Sequence, residues 1–280
     1  MTSNNEQHHE SFVSSFDGTE LYTHCYLPVQ PIKAALLVVH GVGEHSGRYQ
    51  AFITPMLQAG IALFFYDLRG HGKSEGQRGH INAWSDYQRD LEMQIDHMCC
   101  DDVPFFILGH SFGSLIVLDF LETTTRNIRG AIISSSALKP LDVAPTWQKK
   151  IVGFIAKIRP TFPLKIKIDT QAISRCKKEV LAYEEDPLIH TNVSARWGAD
   201  VLRVTRRIED NVTTIQTPIL MTHGEPDWLN SSQGTTTFFE RLSVEDKTLF
   251  IYPDSYHEPH NDLDSVLVVN GLADWICHRM

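Results

Sequence analysis

Residues 109–113, Gly-His-Ser-Phe-Gly, have the composition and the context of a turn that carries a nucleophile. An apolar run at 105–108 precedes them, and a second apolar run with helical spacing follows. This order predicts a strand, a sharp turn and a helix, with Ser111 at the apex in a strained backbone conformation. The flanking glycines let strand and helix approach closely, and the amino end of the helix favours a negative charge beside the serine. The pattern indicates attack by the Ser111 hydroxyl on a carbonyl carbon.

A second match to the same five-residue pattern, at 72–76, lies in a polar stretch. It follows Arg-Gly-His at 69–71 instead of an apolar strand, and no apolar helix comes directly after it. The Gly-Lys-Ser letters within it do not make a phosphate-binding loop, because that motif needs a glycine five positions earlier and Asp67 stands there. This copy therefore predicts a polar loop.

A serine hydroxyl becomes a good nucleophile when a histidine takes its proton and a carboxylate holds that histidine. The chain has 14 histidines, so position must choose among them. The order serine, acid, histidine at successive strand ends selects Asp227, after a predicted strand at 218–222, and His257, after one at 248–252. The other candidates in the same two loops are Glu225, Asp254, His223 and His260.

Stabilising the oxyanion that forms in such a reaction requires two backbone N–H groups. One is predicted to be that of Phe112, directly after the nucleophile. The second is predicted to be that of Val42, in the His-Gly-Val-Gly stretch that follows an apolar run at 34–39.

Strand and helix patterns alternate along most of the chain. Such alternation predicts a doubly wound, mostly parallel sheet, with ligands bound at the carboxyl ends of its strands. The predicted strands are 11–16 and 20–27, which form a hairpin, then 34–39, 61–66, 105–108, 130–134, 218–222 and 248–252; the predicted helices are 49–59, 84–100, 232–242 and 263–278.

Residues 138–210 break this alternation and are predicted to be a helical cap inserted into a core formed by 1–137 and 211–280. Within the cap, one helical face carries Trp147, Ile151, Phe154, Ile155 and Ile158. Between positions 139 and 178 there are ten Lys and Arg residues against two Asp. Two hypotheses follow: the face packs in the core, which is the commoner case, or it rests on a lipid or micelle surface and delivers apolar substrate.

The composition of the chain limits which kinds of partner it is expected to bind and where in the cell it is expected to be found. The net charge of −9 argues against nucleic acid as a partner. No apolar run reaches the about 18 residues of a membrane span, and residues 1–10 lack the apolar segment of a secretion signal. The five cysteines have no metal-binding spacing, which favours reduced thiols in a cytoplasmic protein.

Five motifs in order resemble the monoacylglycerol lipase and lysophospholipase family of serine hydrolases, over about residues 14–276. They are His-Gly-Val-Gly-Glu-His-Ser-Gly-Arg-Tyr at 40–49, Asp-Leu-Arg-Gly-His-Gly-Lys-Ser-Glu-Gly at 67–76, the turn at 109–113, His-Gly-Glu-Pro-Asp at 223–227, and Asp-Lys-Thr-Leu-Phe-Ile-Tyr at 246–252 leading to His257. Two residues depart from the family pattern: Ser114, where a glycine is usual, and Trp228, where a basic residue is common.

The resemblance implies the α/β-hydrolase fold, with an eight-stranded, mostly parallel sheet and an inserted helical cap. It implies a triad of Ser111, Asp227 and His257, with Val42 and Phe112 as oxyanion donors and with neither metal nor organic cofactor. It also implies a polar pocket for the glycerol end of a substrate, formed by Glu44, Arg48 and His260. An alternative for Glu44 and Arg48 is that they brace the loop by ion pairs.

The predicted activity is hydrolysis of a carboxylic ester of a single-chain acyl lipid such as monoacylglycerol. The alternatives within enzymes are a lysophospholipase, a broader carboxylesterase and an acyltransferase, which uses the same triad but excludes water. A catalytically silent binding protein on the same fold is the alternative from another class, because this fold hosts many functions.

Overall fold

Continuous apolar runs form the centre of the sheet in a computed structural model that describes residues 7–98, 100, 102–141 and 145–280. Along the strand at 34–39, alternate side chains enter the hydrophobic layers on the two faces of the sheet, as the period of two in a strand requires. The strands are β1 (Gln7–Ser14), β2 (Glu20–Leu27), β3 (Ala34–Val39), β4 (Ile61–Tyr66), β5 (Phe105–His110), β6 (Gly130–Ser134), β7 (Pro163–Lys165), β8 (Asn192–Ser194), β9 (Ile219–Gly224) and β10 (Lys247–Tyr252).

Eight of these strands form one sheet in the order β1-β2-β4-β3-β5-β6-β9-β10. The two pairings that involve β2 are antiparallel, and the pairings from β4 to β10 are parallel. The loops that leave the carboxyl ends of β3, β5, β9 and β10 therefore emerge at one edge of the sheet. These loops carry Val42, Ser111, Asp227 and His257 respectively. The predicted eight-stranded α/β-hydrolase sheet is confirmed.

Helices cover both faces of the sheet. The helices are α1 (Ile53–Gln58), α2 (Ser85–His97), α3 (Phe112–Thr123), α4 (Thr146–Ile158), α5 (Lys177–Glu185), α6 (Ala195–Asp210), α7 (Ser232–Arg241) and α8 (Ser265–Cys277). Apolar side chains of α1 and α8 enter the layer on one face, and those of α2, α3, α6 and α7 enter the layer on the other. Within the described part of the chain, no helix combines the length and the apolar character needed to cross a membrane.

The helix predicted at 49–59 is shorter in the structure. Two 3₁₀ turns, Ser46–Arg48 and Gln50–Phe52, precede α1, which begins at Ile53. Pro55 explains the difference, because a proline lacks the N–H that a helix interior uses and is tolerated in the first turn. A helix that began at 49 would have placed this proline in its interior.

The segment between β6 and β9 contains α4, α5 and α6, as a helical cap requires, together with a two-stranded antiparallel ribbon of β7 and β8. The ribbon was not predicted, since strands of three residues are too short to show an alternating pattern. Helix α6 packs on both α4 and α3 and so joins this segment to the rest of the molecule. The domain boundaries at 137/138 and 210/211 stay a prediction.

The apolar face of α4 lies largely at the surface. Trp147 is 61% exposed and Phe154 is 65% exposed, and Ile151 and Ile158 are exposed as well, whereas Ile155 is half-buried. The hypothesis that this stripe packs in the core is therefore wrong for the four exposed side chains.

Candidate active site

Ser111 lies between β5 and α3 in a conformation that few residues other than glycine adopt, with φ at +50° and ψ at −118°. Its N–H donates to the carbonyl of Ser134 on the neighbouring strand, at 2.9 Å. A Cβ added at Gly113 would lie 2.2 Å from the carbonyl oxygen of Val39, so the close approach of α3 to β3 needs glycine there. The turn predicted at 109–113 is present, and the backbone strain falls on the serine.

Ser114, which stands where the family usually has glycine, bridges two segments of the site. Its hydroxyl donates to the carbonyl of Ser111 at 2.5 Å and accepts from the N–H of Ala137 at 3.2 Å. Ala137 lies in the loop that leads from β6 towards α4. The departure from glycine thus adds a polar connection between the serine turn and that loop.

Three of the predicted side chains form a continuous hydrogen-bonded series. Nε2 of His257 lies 3.0 Å from Oγ of Ser111, and Nδ1 of His257 lies 2.7 Å from Oδ2 of Asp227. Of the alternative acids, Glu225 and Asp254 are both exposed. The structure therefore brings together the serine, the histidine and the acid that their order along the chain selected.

The electrostatics of this series suit proton transfer. Burial alone would raise the pKa of Asp227, but the facing His257 and the hydrogen bonds that it accepts hold that pKa well below its usual range. Burial alone would lower the pKa of His257, and the Asp227 carboxylate outweighs burial and raises it. Asp227 is therefore ionised, and the ring of His257 is a stronger base than a free imidazole.

Asp227 accepts four hydrogen bonds, two at each oxygen. The N–H groups of Leu229 and Asn230 donate to Oδ1 at 2.8 and 3.0 Å. His257 and His223 share Oδ2, and Nε2 of His223 lies 2.9 Å from it. The sequence raised His223 only as an alternative base. Its position four residues before the acid, at the end of the same strand, was the available signal.

A cavity of about 420 Å³ lies over Ser111, and Gly41, Val42 and Phe112 line it beside the serine. A Cβ added at Gly41 would lie 3.2 Å from Cβ of Ser111, so the loop after β3 lies directly against the nucleophile. Phe112 is the first residue of α3, where backbone N–H groups have no partner within the helix. Both predicted oxyanion donors thus border the space where a carbonyl oxygen would lie.

The rest of the cavity wall is largely apolar. Trp228, one of the two departures from the family pattern, also lines it; this side chain is 56% exposed and its ring lies 5.1 Å from that of Tyr256. The apolar lining comes from both the cap segment and the sheet loops and includes Leu115, Val152, Leu164, Ile166, Ile168, Ile173, Val193, Trp197, Val201, Leu202 and Leu229.

The three residues that the resemblance assigns to a glycerol pocket occupy different places. Glu44 lines the cavity, as does Glu258. Arg48, whose side chain is 6% exposed, and the buried His260 lie outside the lining that the structure describes. Nη2 of Arg48 lies 2.5 Å from Oε2 of Glu258, and its Nε lies 3.3 Å from Oε2 of Glu44. The ring of His260 stacks on that of Tyr49, and burial lowers the pKa of His260 to about 4.

Glu44 also holds the loop that carries Val42. Its Oε1 accepts from the N–H of Gly41 at 2.5 Å and from the hydroxyl of Tyr49 at 2.9 Å. Burial and the neighbouring Glu258 raise the pKa of Glu44, while Arg48 outweighs burial and lowers the pKa of Glu258. This geometry matches the loop-bracing alternative, while Glu44 also contributes to the cavity lining.

Known proteins share this architecture. The family described as serine aminopeptidase S33 matches residues 30–264, more than half of the chain. The monoglyceride lipase of Rattus norvegicus is 32% identical over 270 residues, which are 94% of this chain and 89% of the rat protein. The chain belongs to the monoacylglycerol lipase family. The family predicted from the five motifs is therefore confirmed.

Two further comparisons bear on this member of the monoacylglycerol lipase family. The crystal structure of the Paleococcus ferrophilus monoacylglycerol lipase superposes with a TM-score of 0.85 at 30% identity, over 93% of this chain and 100% of that one. An uncharacterized abhydrolase domain-containing protein of Dictyostelium discoideum is 31% identical over 254 residues, which are 90% of this chain but 27% of that longer protein. The predicted fold and the predicted enzyme class, a carboxylic-ester hydrolase, are both confirmed.

Proposed function

We propose that this protein hydrolyses carboxylic esters of single-chain acyl lipids, and above all monoacylglycerol, to a fatty acid and glycerol. The observation that carries the proposal is the Ser111–His257–Asp227 series at the foot of a largely apolar cavity. Monoacylglycerol lipases at 30 to 32% identity support the choice of substrate.

In the proposed mechanism, Oγ of Ser111 attacks the ester carbonyl carbon while Nε2 of His257 takes the hydroxyl proton. The negative charge moves to the carbonyl oxygen, where the N–H groups of Val42 and Phe112 stabilise it. As the carbonyl re-forms, the bond to glycerol breaks and the protonated His257 gives its proton to the leaving oxygen. A water molecule that gives a proton to His257 then attacks the acyl-serine. The bond between the acyl carbon and Oγ breaks, His257 returns the proton to Oγ of Ser111, and the fatty acid is released.

The cavity supports a substrate with one acyl chain and a small polar end. Leu164, Ile166 and Val201 are among the apolar side chains that would contact the chain. At the polar end, the carboxylates of Glu44 and Glu258 can accept hydrogen bonds from glycerol hydroxyls. A phosphate group at that end would be repelled by the same two carboxylates, which favours a glycerol ester over a lysophospholipid.

The test compares wild type with Ser111→Ala on monoacylglycerol, lysophosphatidylcholine and a p-nitrophenyl acyl ester. We expect wild type to release fatty acid from monoacylglycerol fastest and to be labelled by a fluorophosphonate, and Ser111→Ala to lose both properties while retaining its circular dichroism spectrum. Product analysis with an added alcohol detects acyl transfer. Full activity in Ser111→Ala contradicts the mechanism, and the absence of labelling in wild type favours a binding protein.

The exposed face of α4 supports the second hypothesis for the cap, which is that this face rests on a lipid surface. Trp147, Ile151, Phe154 and Ile158 form its apolar part, and exposed Lys150 and Lys157 lie on the same helix. Apolar side chains enter the boundary between head groups and acyl chains, and lysines attract anionic head groups. We therefore propose that the protein is cytoplasmic and docks on membranes through α4.

Vesicle sedimentation with Phe154→Ser tests this surface, and Phe12→Ser is a matched control because Phe12 is a phenylalanine of β1 that is 55% exposed. We expect Phe154→Ser to bind phosphatidylserine vesicles at least about fivefold more weakly, because about 1 kcal/mol or more of apolar burial is lost. Phe12→Ser should bind as wild type does. Equal binding by all three proteins would contradict membrane docking through α4.

A further inference from the structure

The candidate catalytic acid is held between two histidines. Oδ2 of Asp227 accepts from Nδ1 of His257 at 2.7 Å and from Nε2 of His223 at 2.9 Å. Only the first of these rings reaches Ser111. The side chains of His223 and Asp227 are both fully shielded from solvent, so this second hydrogen bond does not compete with bulk water.

The far side of the His223 ring is also hydrogen-bonded. Its Nδ1 lies 2.7 Å from Oγ1 of Thr235, and that oxygen lies 2.7 Å from Oγ of Ser136. Thr235 and Ser136 are both buried. An ionised carboxylate only accepts hydrogen bonds, so Nε2 of a neutral His223 carries the ring proton. Nδ1 then accepts from Thr235, and Ser136 donates to Thr235.

This series has a single consistent direction. Each hydroxyl has one proton to give, and each gives it towards the carboxylate: Ser136 to Thr235, Thr235 to His223, His223 to Asp227. The tautomer of His223 is thereby fixed from the side remote from the acid. The ring can turn away from Asp227 only by breaking its two buried hydrogen bonds, one to Thr235 and one to the carboxylate, which is costly.

We propose that His223 is a positioning residue that fixes the Asp227 carboxylate for His257 and limits how strongly that carboxylate raises the basicity of the His257 ring. The proposal rests on the triad proposed above. The hydrogen bond from His223 occupies one lone pair of Oδ2 and draws charge from it. The remaining charge is what stabilises the imidazolium form of His257 during the reaction.

Because His223 and His257 both donate to Oδ2 of Asp227, the loss of His223 changes the pKa of His257 in a definite direction. Without the His223 donor, more of the Asp227 charge acts on His257, so the pKa of the imidazolium rises. Activity requires neutral His257, so the acid limb of kcat/KM moves to higher pH. The other titratable groups that face His257 are His110, whose ring lies 5.1 Å away, and the buried His260, Glu44 and Glu258. These four are the same in every variant compared below.

The test measures kcat/KM against pH for p-nitrophenyl acetate in wild type, His223→Leu and His223→Gln. We expect His223→Leu to move the acid limb up by about half a pH unit and to lower kcat about tenfold, because the carboxylate loses its fixed orientation. Glutamine keeps an N–H donor at the place of Nε2, so His223→Gln should return the acid limb to within about 0.2 pH units of wild type.

A second pair of variants tests the same idea from the remote end of the series. Thr235→Val removes the hydroxyl that fixes the His223 tautomer, and Thr235→Ser keeps it. We expect a smaller upward shift of the acid limb in Thr235→Val and none in Thr235→Ser. This pair also decides the question if His223→Leu does not fold.

Three results would overturn the proposal. One is a wild-type acid limb in both His223→Leu and Thr235→Val. Another is an equal loss of kcat in His223→Leu and His223→Gln with no change in pH profile, because that result assigns His223 to packing alone. The third is a wild type inert towards p-nitrophenyl esters and fluorophosphonate, which would also overturn the proposed triad. Failure on monoacylglycerol alone would count against the proposed substrate and leave this comparison of pH profiles valid.

Discussion

Two groups of buried carboxylates flank Ser111, and they are balanced in different ways. Asp227 is held by hydrogen-bond donors, two histidine rings and two backbone N–H groups. Glu44 and Glu258 are balanced by a fixed cation, the guanidinium of Arg48. Hydrogen-bond donors leave the charge of Asp227 available to a proton-accepting base, whereas a single cation offsets part of the charge of the other two carboxylates. The difference indicates that the first group serves proton transfer and the second serves loop geometry.

The largest expected effect on kcat comes from removing the charge of Asp227. In Asp227→Asn the amide can donate a proton towards His257, which favours the tautomer that cannot accept from Ser111. We expect kcat to fall by about 10⁴-fold with the fold retained. Steady-state kinetics with a p-nitrophenyl ester measure this fall.

Glu225→Gln is the matched control for that substitution, because Glu225 lies in the same loop and is exposed. Its kcat should equal that of wild type. A large loss in Glu225→Gln together with activity within tenfold of wild type in Asp227→Asn would transfer the role of the acid to Glu225.

Removing the cation from the second group should damage the fold more than the chemistry. Arg48→Met leaves Glu44 and Glu258 buried without their counter-charge, and breaking a buried ion pair in this way costs about 3–5 kcal/mol. We expect a loss of that size in the free energy of unfolding measured with urea. The base and the acid keep their hydrogen bonds, so folded Arg48→Met should still react with a fluorophosphonate.

Arg126→Met provides the comparison for this stability measurement. Arg126 pairs with Glu92 and Asp96, but its side chain is 39% exposed. Solvent screens such a pair, so the loss should be about 0–1 kcal/mol. Equal losses of unfolding free energy in the two arginine variants would show that the buried ion pairs of Arg48 matter no more for stability than the exposed ion pairs of Arg126.

The surroundings of Asp227 could be predicted from the sequence better than the pairing of Arg48 with Glu44 and Glu258, for a physical reason. Ser111, Asp227 and His257 each follow a strand, and the order of parallel strands brings their ends together without knowledge of side-chain packing. The pairing of Arg48 with Glu258 joins residues 210 positions apart and depends on how two irregular loops pack. No local pattern marks such a contact.

The fold shows the same limit. Apolar runs of four to six residues predicted the buried strands, because burial on both faces leaves a strong signal. The exposed face of α4 has the helical spacing of a core helix, and the pattern alone does not say what covers it. The role of the second histidine on Asp227 was similarly ambiguous in the sequence, since a histidine near a strand end is compatible with a base, a donor or a loop residue.

The smallest expected effect distinguishes the two roles open to Glu44. If Glu44 braces the loop, Glu44→Ala frees the N–H of Gly41 next to the Val42 oxyanion donor and loosens that loop. We expect kcat to fall about tenfold with KM nearly unchanged, because stabilisation of the transition state is lost. Tyr49→Phe, which removes one of the two hydrogen bonds to Oε1, should give a fall of a few fold in kcat.

Glu44→Gln sharpens this last comparison, because an amide oxygen can still accept from Gly41 and Tyr49 but carries no charge. A bracing role predicts that Glu44→Gln keeps most of the kcat on monoacylglycerol. A glycerol-binding role predicts instead that Glu44→Ala raises KM for monoacylglycerol, leaves kcat intact and does not alter hydrolysis of a p-nitrophenyl ester, which has no glycerol. That second result would assign Glu44 a role in binding the substrate. The pair of Glu44 and Glu258 would then serve substrate recognition as well as loop geometry.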